Sequence, residues 1–327
     1  MTPPASRVSV VLCTYDGAAY VGRMIESLGA QTLTPDEIIV SDDGSNDETF
    51  EIVSAGLRAY PGRVIAQRNQ ANLGVRQNFE QAMRLAQGEF VLLCDQDDVW
   101  HANKVERMLA EAELNPDTLL LHSDARIVDE SDVFAGHTLL GDLRLSFLEQ
   151  AHLDRDDLLS VLLRRNVVTG AATAVRRELL DYALPIPEGF WHDEWLALIA
   201  AAVGRVVCVR ETLMDYRIHA NNQLGLRGVA ASTRLRAMTS RRGEYHATRQ
   251  RKLELLLERL RMLGRRVPAD RLRLVEACSS HWRIRAGLPS RRIARLALTL
   301  REAKDGGYRR FSSGWRSVLR DLVEPLG

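Results

Sequence analysis

The chain has 327 residues, of which 46% are hydrophobic and 27% charged, as in ordinary soluble globular proteins. This length suits one large domain with an appendage, or two modest domains. No apolar run reaches the roughly 18–20 residues that a membrane-spanning helix needs, and residues 1–7 do not resemble a signal peptide, so we expect a cytoplasmic protein. Because the four cysteines lie far apart, we expect free thiols rather than disulfides.

The net charge of +1 conceals two halves of opposite charge. Residues 229–327 hold 24 Lys and Arg against 9 Asp and Glu, whereas residues 1–228 hold 20 basic and 34 acidic residues. One interpretation is an acidic half that can hold a metal and a basic half that faces an anionic partner. The other interpretation is that the two halves simply attract each other.

The first third of the chain alternates strand patterns with helical patterns. The predicted strands are apolar on both faces, as in a buried parallel sheet, and they cover residues 8–13, 37–40, 64–67 and 90–94. Helical patterns occur at residues 20–28, from about residue 48, and at residues 75–86. This alternation predicts an α/β fold with a Rossmann-like, mostly parallel sheet and helices on both faces.

The patterns change along the rest of the chain. Short strand-like segments cover residues 119–122, 171–175 and 206–209, and a helix runs through residues 194–202 and stops at Gly204. After about residue 229 the sequence becomes Arg-rich and helical. There, residues 251–263 place four leucines on one face, and Pro268 and Pro289 mark helix starts.

Polar residues follow three of the four amino-terminal strands. They are Thr14-Tyr15-Asp16, Asp42-Asp43 and Asp95-Gln96-Asp97-Asp98. Ligands of open α/β sheets bind beyond the carboxyl ends of the strands, and parallel strands end at the same edge. We therefore expect all three clusters to lie at one site.

The third of these clusters places three carboxylates, Asp95, Asp97 and Asp98, within four residues. Hard cations such as Mg²⁺ and Mn²⁺ prefer oxygen ligands, and a cation neutralises the repulsion among clustered carboxylates. An acidic turn that caps a helix is the alternative for the same pattern.

Several short motifs occur in a fixed order over residues 7–104. They are Thr14-Tyr15-Asp16-Gly17, Gln31-Thr32, the Asp42–Asp47 turn, Asn72-x-Gly74 and the D-x-D-D of Asp95–Asp98. As a set they resemble the donor half of the family 2 glycosyltransferases of the GT-A fold. The resemblance implies a GT-A-type domain that binds a nucleoside-diphosphate sugar together with Mn²⁺ or Mg²⁺.

The resemblance also implies roles for individual residues of the donor half. Asp43 accepts a hydrogen bond from a pyrimidine N3–H, and Asp95 holds ribose or metal. Asp97 and Asp98 hold the metal that bridges the diphosphate, which agrees with the charge that builds on the leaving group. The further nucleotide-sugar contacts are Thr14, Tyr15, Asn72 and Arg76. For Arg76, and for Lys104 as a second candidate phosphate contact, a surface salt bridge is the alternative.

The acceptor side of the resemblance lies at residues 191–195 (WHDEW), where the family has its catalytic base. An inverting transfer needs one carboxylate to take the proton of the attacking hydroxyl. We assign this role to Asp193, with Glu194 as the alternate. The other acceptor-side candidates are Trp191, Trp195 and Gly170. Core packing is the alternative for the two tryptophans, and a simple turn is the alternative for the glycine.

Residues 216–222 (YRIHANN) resemble the Y-R-x-H-x-N-N segment of bacterial rhamnosyltransferase-like members of the family. The likeness implies that His219 is a third metal ligand or a diphosphate contact. It also points to dTDP-L-rhamnose as the donor, with UDP as the other candidate nucleotide. The implied acceptor is a glycan or a lipid-linked oligosaccharide in cell-surface polysaccharide synthesis.

The segment from Tyr308 to Leu322 alternates aromatic and aliphatic residues with arginines at helical spacing. This pattern suits an anionic membrane surface, so we expect peripheral contact with the inner face of the membrane. The alternatives are helices that pack on the catalytic domain and a homodimer interface. We do not expect nucleic-acid binding, because the other half is acidic and no nucleic-acid-binding module is recognised in the sequence.

These patterns predict a catalytic domain over residues 1–228, followed by an Arg-rich α-helical region over residues 229–327. Within the catalytic domain, we assign nucleotide-sugar binding to residues 1–117 and the acceptor side to residues 118–228. The predicted function is inverting sugar transfer. The alternatives are a non-catalytic nucleotide-binding scaffold of the same fold and a sugar nucleotidyltransferase. The second needs a basic Gly-rich loop, which Asp16-Gly17-Ala18-Ala19 does not provide.

Overall fold

The computed structural model describes residues 8–153, 155, 157–219 and 242–323, which form two compact units. The first unit takes its residues from Met1–Arg144, Val168–Ala200 and Gly204–Ala220, and the second from Leu145–Val167, Ala201–Val203 and Asn221–Gly327. The predicted boundary at residue 228 falls outside the described residues and stays a prediction. Residues 145–167, which we predicted with the catalytic domain, belong to the second unit.

The first unit is built on a nine-stranded sheet with the order β3-β2-β1-β4-β8-β6-β9-β5 and with β7 beside β6. Its strands are β1 Val8–Thr14, β2 Glu37–Asp42, β3 Arg63–Arg68, β4 Phe90–Asp95, β5 Val99–Trp100, β6 Thr118–Val128, β7 Phe134–Thr138, β8 Thr173–Arg176 and β9 Arg205–Arg217. Its helices are α1 Val21–Gly29, α2 Thr49–Gly56, α3 Val75–Leu85, α4 Lys104–Leu114, α5 Leu139–Asp142, α8 Glu178–Ala183 and most of α9 His192–Val203.

The amino-terminal four strands form the parallel part of the sheet, as predicted. β1 pairs in parallel with β2 and β4, and β2 pairs in parallel with β3. Every residue of β1 and β2 is buried, which explains why their sequences show no polar alternation. Thr14, Asp42 and Asp95 are the last residues of their strands. The three polar clusters therefore follow neighbouring strands at one edge of the sheet.

The remaining strands make the sheet mixed. β8 is antiparallel to β4 and to β6, β9 is parallel to β6, and β5 is antiparallel to β9. β6 and β9 have 11 and 13 residues, far more than the four-residue segments that we predicted. Their second halves carry polar residues such as Asp124 and Asp215, so the apolar criterion ended both strands too early.

The second unit is helical in its described part. Its helices are α6 Phe147–Leu153, α7 Leu158–Leu162, α10 Arg242–Leu263, α11 Ala269–Ala286, α12 Arg292–Lys304, α13 Gly307–Phe311 and α14 Trp315–Val323. Pro268 precedes α11 as predicted. The start predicted at Pro289 is wrong by three residues, because the Arg295 guanidinium holds the carbonyls of Pro289 and Ser290 at 2.6 and 2.7 Å. The predicted leucine face of α10 is buried.

The described residues contain neither a membrane-spanning helix nor a disulfide bond. None of the helices in residues 8–219 and 242–323 is long and apolar enough to cross a membrane. The four cysteines all lie within these residues and are free thiols, as predicted.

The middle of β6 carries a buried histidine, His122, whose Nε2 has no hydrogen-bond partner among the described residues. Burial disfavours the charged imidazolium and lowers the pKa of His122 to about 4. The folded sheet therefore keeps this ring neutral at a pH where an exposed histidine is charged.

We predict that His122 makes the protein less stable in acid. An unfolded chain protonates histidine near pH 6.5, so between that pH and about pH 4 the unfolded state binds more protons. The free energy of unfolding therefore falls as the pH falls, and at pH 5 the loss is about 2 kcal/mol for one such histidine. Urea unfolding at pH 8 and at pH 5 measures this loss. It should be larger in the wild type than in His122→Leu, and equal losses would contradict the assignment.

Candidate active site

The acidic turn that follows β4 is held by one buried arginine at the end of β9. The backbone N–H of Arg217 donates to Asp98 Oδ1 at 3.1 Å, and its Nε donates to the carbonyl of Asp97 at 2.8 Å. Its Nη2 lies 2.6 Å from Asp132 Oδ1. Arg217 is the arginine of the Y-R-x-H-x-N-N segment, for which we predicted no role, because the motif does not show what the side chain contacts. The antiparallel β5–β9 pairing brings it to the turn.

His219 and Asp97 form the second fixed element of the site. His219 Nε2 lies 2.8 Å from Asp97 Oδ2. The His219 ring stacks on Tyr20 with a centroid distance of 4.7 Å, and the Arg217 guanidinium lies 5.3 Å from the same tyrosine ring. Asp97 and His219, two of the predicted metal ligands, thus lie together beside Tyr20, which precedes α1.

Carboxylates crowd around this turn, and the pKa values of two of them, Asp95 and Asp98, are raised. The pKa of Asp95 is raised to about 7 by burial, then by the charges of Asp97 and Asp193. Burial, and then the neighbouring carboxylates, also raise the pKa of Asp98 well above its ordinary value. The pKa of the Tyr216 hydroxyl is raised by burial and by all four of these acidic groups. The structure therefore brings Asp193, from the second half of the chain, to the acidic turn.

Lys104 offsets part of this negative charge from inside the protein. Its side chain is fully buried. Nζ donates to the carbonyl of Ala171 at 2.8 Å and lies 4.0 Å from the centre of the Trp100 ring. Burial lowers the pKa of Lys104 to about 8, against the opposing effect of Asp98 and Asp95. Both predicted roles of Lys104, a phosphate contact and a surface salt bridge, are wrong, because the side chain does not reach solvent.

Thr14 and Asp43 lie where β1 and β2 end, and both are buried. Thr14 Oγ1 donates to Asp42 Oδ2 at 2.8 Å. The carboxylate of Asp43 accepts hydrogen bonds from the backbone N–H groups of Leu73 and Gly74, each at 2.8 Å, and from Asn69 at 2.9 Å. Asp43 therefore orders the turn before α3. A carboxylate has about four acceptor positions, so this one keeps a position for a further donor.

Tyr15 is half-exposed and is held through its backbone by a residue that the sequence analysis left without a role. Gln96 Oε1 accepts from the Tyr15 N–H and Gln96 Nε2 donates to the Tyr15 carbonyl, both at 2.8 Å. A Cβ on Gly17 would lie 2.2 Å from the Gln96 side chain, so the glycine of the T-Y-D-G motif leaves room for this amide. The two hydrogen bonds connect the first polar cluster to the third.

Asn72 and Arg76 take local roles on the donor side. Asn72 is exposed and its Oδ1 accepts from the Gly74 N–H at 2.9 Å. Arg76 donates to the carbonyl of Ile186 at 2.8 Å and forms an ion pair with Glu80 at 3.9 Å. The salt-bridge alternative for Arg76 is thus present, and its phosphate contact stays a prediction.

The first turn of α9 carries the predicted acceptor-side residues. Asp193 is half-buried, and its Oδ1 accepts from the N–H of Glu194, whose side chain is buried. Trp191 precedes the helix and is partly exposed. The prediction that Trp195 contacts the acceptor is wrong. Its ring is fully buried, and Nε1 donates to the carbonyl of Ala183 at 2.6 Å, which is the core packing that we held as the alternative.

Gly170 lies against the histidine that begins α9. A Cβ on Gly170 would be 2.5 Å from His192 Nε2. The buried His192 ring stacks on Phe79 of α3 with a centroid distance of 4.0 Å, and burial lowers its pKa to about 3. Gly170 is therefore required by a close approach inside the protein, and its contact with an acceptor stays a prediction.

The residues fit a divalent cation that is shared with a substrate diphosphate. Among the residues that the structure describes, no three His, Cys, Asp or Glu side chains form a complete metal site. Mg²⁺ is commonly held by one or two carboxylates and by substrate phosphates, and Asp95 and Asp97 provide such a partial donor set. Asp98 is buried, with one oxygen on Arg217 N–H and the other without a hydrogen-bond partner in this part of the chain.

Solved structures of similar fold define the class of the protein. The chain is similar to S. aureus TarS 1-349 in complex with UDP-GlcNAc, with a TM-score of 0.53 and 18% identity over 95% of this chain and 90% of that one. It is also similar to a mannosyltransferase of Pyrobaculum calidifontis in complex with GDP-Man and Mn²⁺, with a TM-score of 0.52 and 15% identity over 98% and 86%. The fold is therefore a GT-A-type α/β fold with a helical carboxyl-terminal region.

The sequence comparisons narrow this class to a family. Residues 9–182, more than half of the chain, match the profile of Glycosyl transferase family 2. An uncharacterized glycosyltransferase of Nostoc sp. is 30% identical over 232 residues, 67% of each chain. An uncharacterized protein of Mycobacterium tuberculosis is 27% identical over 217 residues, 65% of this chain and 59% of that protein. The chain belongs to glycosyltransferase family 2, as its motifs predicted.

We predict that Gly170→Ala displaces the His192 ring and lowers the melting temperature. The new methyl group would overlap Nε2, and overpacking of this kind typically costs about 1–3 kcal/mol. Gly22→Ala is the matched control, because a Cβ there meets no atom within 4 Å. The double variant Gly170→Ala/His192→Ala should be more stable than the sum of the two single losses predicts. Additive losses would show that the close approach is not the cause.

Proposed function

We propose that this chain is an inverting, divalent-metal-dependent glycosyltransferase that moves a sugar from a nucleoside-diphosphate sugar to a hydroxyl group of an acceptor. The observation that carries the proposal is the arrangement of charge around the acidic turn. Asp193 comes from the second half of the chain and lies close enough to raise the pKa of Asp95. A candidate base and a candidate diphosphate and metal site are thus neighbours.

The donor nucleotide is proposed to bind at the ends of β1 and β2. Asp43 has three hydrogen-bond donors fixed on its carboxylate and keeps one acceptor position, which suits the imide N–H of a pyrimidine. Thr14 and the half-exposed Tyr15 lie at the neighbouring strand end. Two structures of similar fold are complexes with UDP-GlcNAc and with GDP-Man, which supports a nucleoside-diphosphate sugar here.

We propose that Asp95 and Asp97 hold the cation. His219 lies beside Asp97, and Asp98 is buried next to them. When bound, the cation offsets the charge that builds on the leaving diphosphate. Arg217 holds the second half of the acidic turn in place, through the carbonyl of Asp97 and the carboxylate of Asp98. The carboxylates are thereby aimed before substrate arrives, which lowers the cost of organising them in the transition state.

Asp193 is the proposed base for the acceptor. The acceptor oxygen forms a bond to the anomeric carbon while the bond from that carbon to the diphosphate oxygen breaks, so the electron pair leaves with the nucleoside diphosphate. The proton of the acceptor hydroxyl passes to the Asp193 carboxylate. Glu194 is the alternate base, but its side chain is buried whereas Asp193 is half-buried. A proton acceptor must reach the hydroxyl group directly or through one water molecule.

For the finer specificity we propose dTDP-L-rhamnose as the donor, with a UDP-sugar as the alternative. We propose a cell-surface glycan or a lipid-linked oligosaccharide as the acceptor. The support is the Tyr216–Asn222 segment, of which Tyr216, Arg217 and His219 line the acidic turn. The remaining part of that segment, residues 220–222, lies outside the described residues.

We predict that dTDP or UDP raises the melting temperature only when Mn²⁺ or Mg²⁺ is present. A ligand at about 100 times its Kd adds roughly 2.7 kcal/mol to the free energy of unfolding, and the diphosphate needs the cation to lie beside Asp95 and Asp97. A thermal-shift panel of UDP, dTDP, GDP and CDP, each with Mn²⁺, Mg²⁺ or EDTA, measures this dependence.

The matched variants for this panel are Asp97→Asn and Asp181→Asn, the second in an exposed position on α8. Asp97→Asn should abolish the metal-dependent increase, and Asp181→Asn should keep it. If no nucleotide raises the melting temperature of the wild type with either metal, the proposed transferase function is contradicted. If nucleotides bind but no sugar is transferred with any donor, the scaffold alternative is favoured.

We predict that Asp193→Asn lowers the rate of sugar transfer at least about 100-fold, the usual contribution of a general base. Its nucleotide-dependent increase in melting temperature should be unchanged, since the amide is close in size to the carboxylate. Glu194→Gln serves as the control and should keep transfer within a few-fold of the wild type. The reverse result, with Asp193→Asn active and Glu194→Gln inactive, would assign the base to Glu194.

A further inference from the structure

Helix α14 buries two polar residues and one valine, and it turns a stripe of larger apolar residues toward solvent. Ser317, Val318 and Asp321 are buried, and Asp321 is fully so. Trp315 and Leu319 are 69% and 59% exposed, and Val323 continues the same stripe at four-residue spacing. A helix that packs in the ordinary way buries its apolar stripe, whereas α14 leaves the stripe of Trp315, Leu319 and Val323 in water.

A buried ion pair fixes the rotation of α14 about its axis. The carboxylate of Asp321 accepts hydrogen bonds from Arg285 Nε at 2.8 Å, from Arg285 Nη2 at 3.1 Å and from the Tyr308 hydroxyl at 2.6 Å. Turning the apolar stripe inward would remove Asp321 from Arg285 and leave buried charge without a partner, which is strongly destabilising. The Arg285–Asp321 ion pair therefore keeps Trp315 and Leu319 on the solvent side of α14.

Helix α12, which packs against α14, repeats this arrangement. Arg295 and Thr299 are buried, and the Arg295 guanidinium donates to the carbonyl of Asp321 at 3.0 Å. Ile293 is 90% exposed, and Leu296 and Leu300 are exposed on the same side of the helix. Two adjacent helices thus leave apolar stripes in water while they bury an arginine and an aspartate.

Basic residues border these stripes. Between residues 289 and 323, eight Lys and Arg side chains are exposed, but only one acidic side chain, that of Asp305. The exposed basic residues are Arg291, Arg292, Arg301, Lys304, Arg309, Arg310, Arg316 and Arg320. On α14, the arginines at 316 and 320 directly follow the apolar positions 315 and 319, so the apolar and basic stripes lie side by side.

We propose that the outward faces of α12 and α14, here called the interfacial surface, bind the headgroup region of an anionic lipid bilayer. Apolar side chains beside arginines match the boundary between acyl chains and anionic headgroups. A second copy of the chain would bring two basic borders together, which like-charge repulsion opposes. A nucleic acid would use the arginines but would leave the aliphatic stripes in water.

We expected membrane contact from the whole segment Tyr308–Leu322, but the structure changes the residues involved. The segment is broken between α13 and α14 at Ser312–Gly314, where Gly314 has a φ of 58°. Tyr308 and Phe311 are buried, so they cannot reach lipid. The α12 stripe, which the sequence analysis missed, takes their place. The proposal does not depend on the transfer reaction, because vesicle binding requires no turnover.

Vesicle flotation of the full chain tests the proposal. We expect binding to vesicles of equal parts phosphatidylglycerol and phosphatidylcholine, weaker binding at high salt, and no binding to phosphatidylcholine alone. The double variant Trp315→Ser/Leu319→Ser should bind at least tenfold more weakly. Arg292→Gln and Arg316→Gln should each weaken binding about fivefold. Leu114→Ser is the matched control, because Leu114 is equally exposed but lies on α4.

Two further measurements test whether the Trp315→Ser/Leu319→Ser variant is still folded and still binds nucleotide. Circular dichroism and the nucleotide-dependent melting temperature should be unchanged in the Trp315→Ser/Leu319→Ser variant, which shows that the fold and the donor site are intact. The proposal is overturned if Leu114→Ser weakens vesicle binding as much as Trp315→Ser/Leu319→Ser does. It is also overturned if the wild type does not bind anionic vesicles. If the wild type binds no vesicles but forms a concentration-dependent dimer, and Trp315→Ser/Leu319→Ser dissociates that dimer, the interfacial surface binds a second copy of the chain instead.

Discussion

The catalytic unit depends on the repulsion among carboxylates that the sheet concentrates at one edge. Asp95, Asp97 and Asp98 follow β4, and Asp193 reaches them from α9, in surroundings where burial and mutual repulsion raise the pKa of Asp95 to about 7. Such a cluster is stable only if neighbouring groups compensate its charge. The fold supplies the buried Lys104 and, beside the turn, Arg217. A substrate-borne cation completes the compensation in the function that we propose.

The two compensating cations differ in what they do. Lys104 is buried and donates to a backbone carbonyl, so it lowers the electrostatic cost of Asp95 and Asp98 without reaching the substrate side. Arg217 contacts two residues of the acidic turn with a planar guanidinium and its own N–H, which fixes geometry as well as charge. The charge and the shape of the site are thus set by different residues.

The sequence predicted the parallel half of the sheet and the clusters at its edge, because buried parallel strands are uniformly apolar and end at sharp polar turns. It did not predict β6 and β9 in full, since polar side chains such as Asp124 and Asp215 interrupt their apolar pattern. The contacts of Arg217 and Gln96 could not be predicted from the sequence either. They join residues 81 and 120 positions apart in the chain, and neither pattern nor spacing records such a pairing.

The Arg-rich unit shows a related limit of pattern reading. Aromatic residues and arginines at helical spacing predict an amphipathic surface, but they do not tell which side is buried. Tyr308 contributes its hydroxyl group to the buried Arg285–Asp321 pair, so an aromatic residue of the predicted surface became part of the core. Once Asp321 is inside, the helical period requires Trp315 and Leu319 to lie outside. A buried ion pair therefore determines which apolar residues this unit presents to solvent.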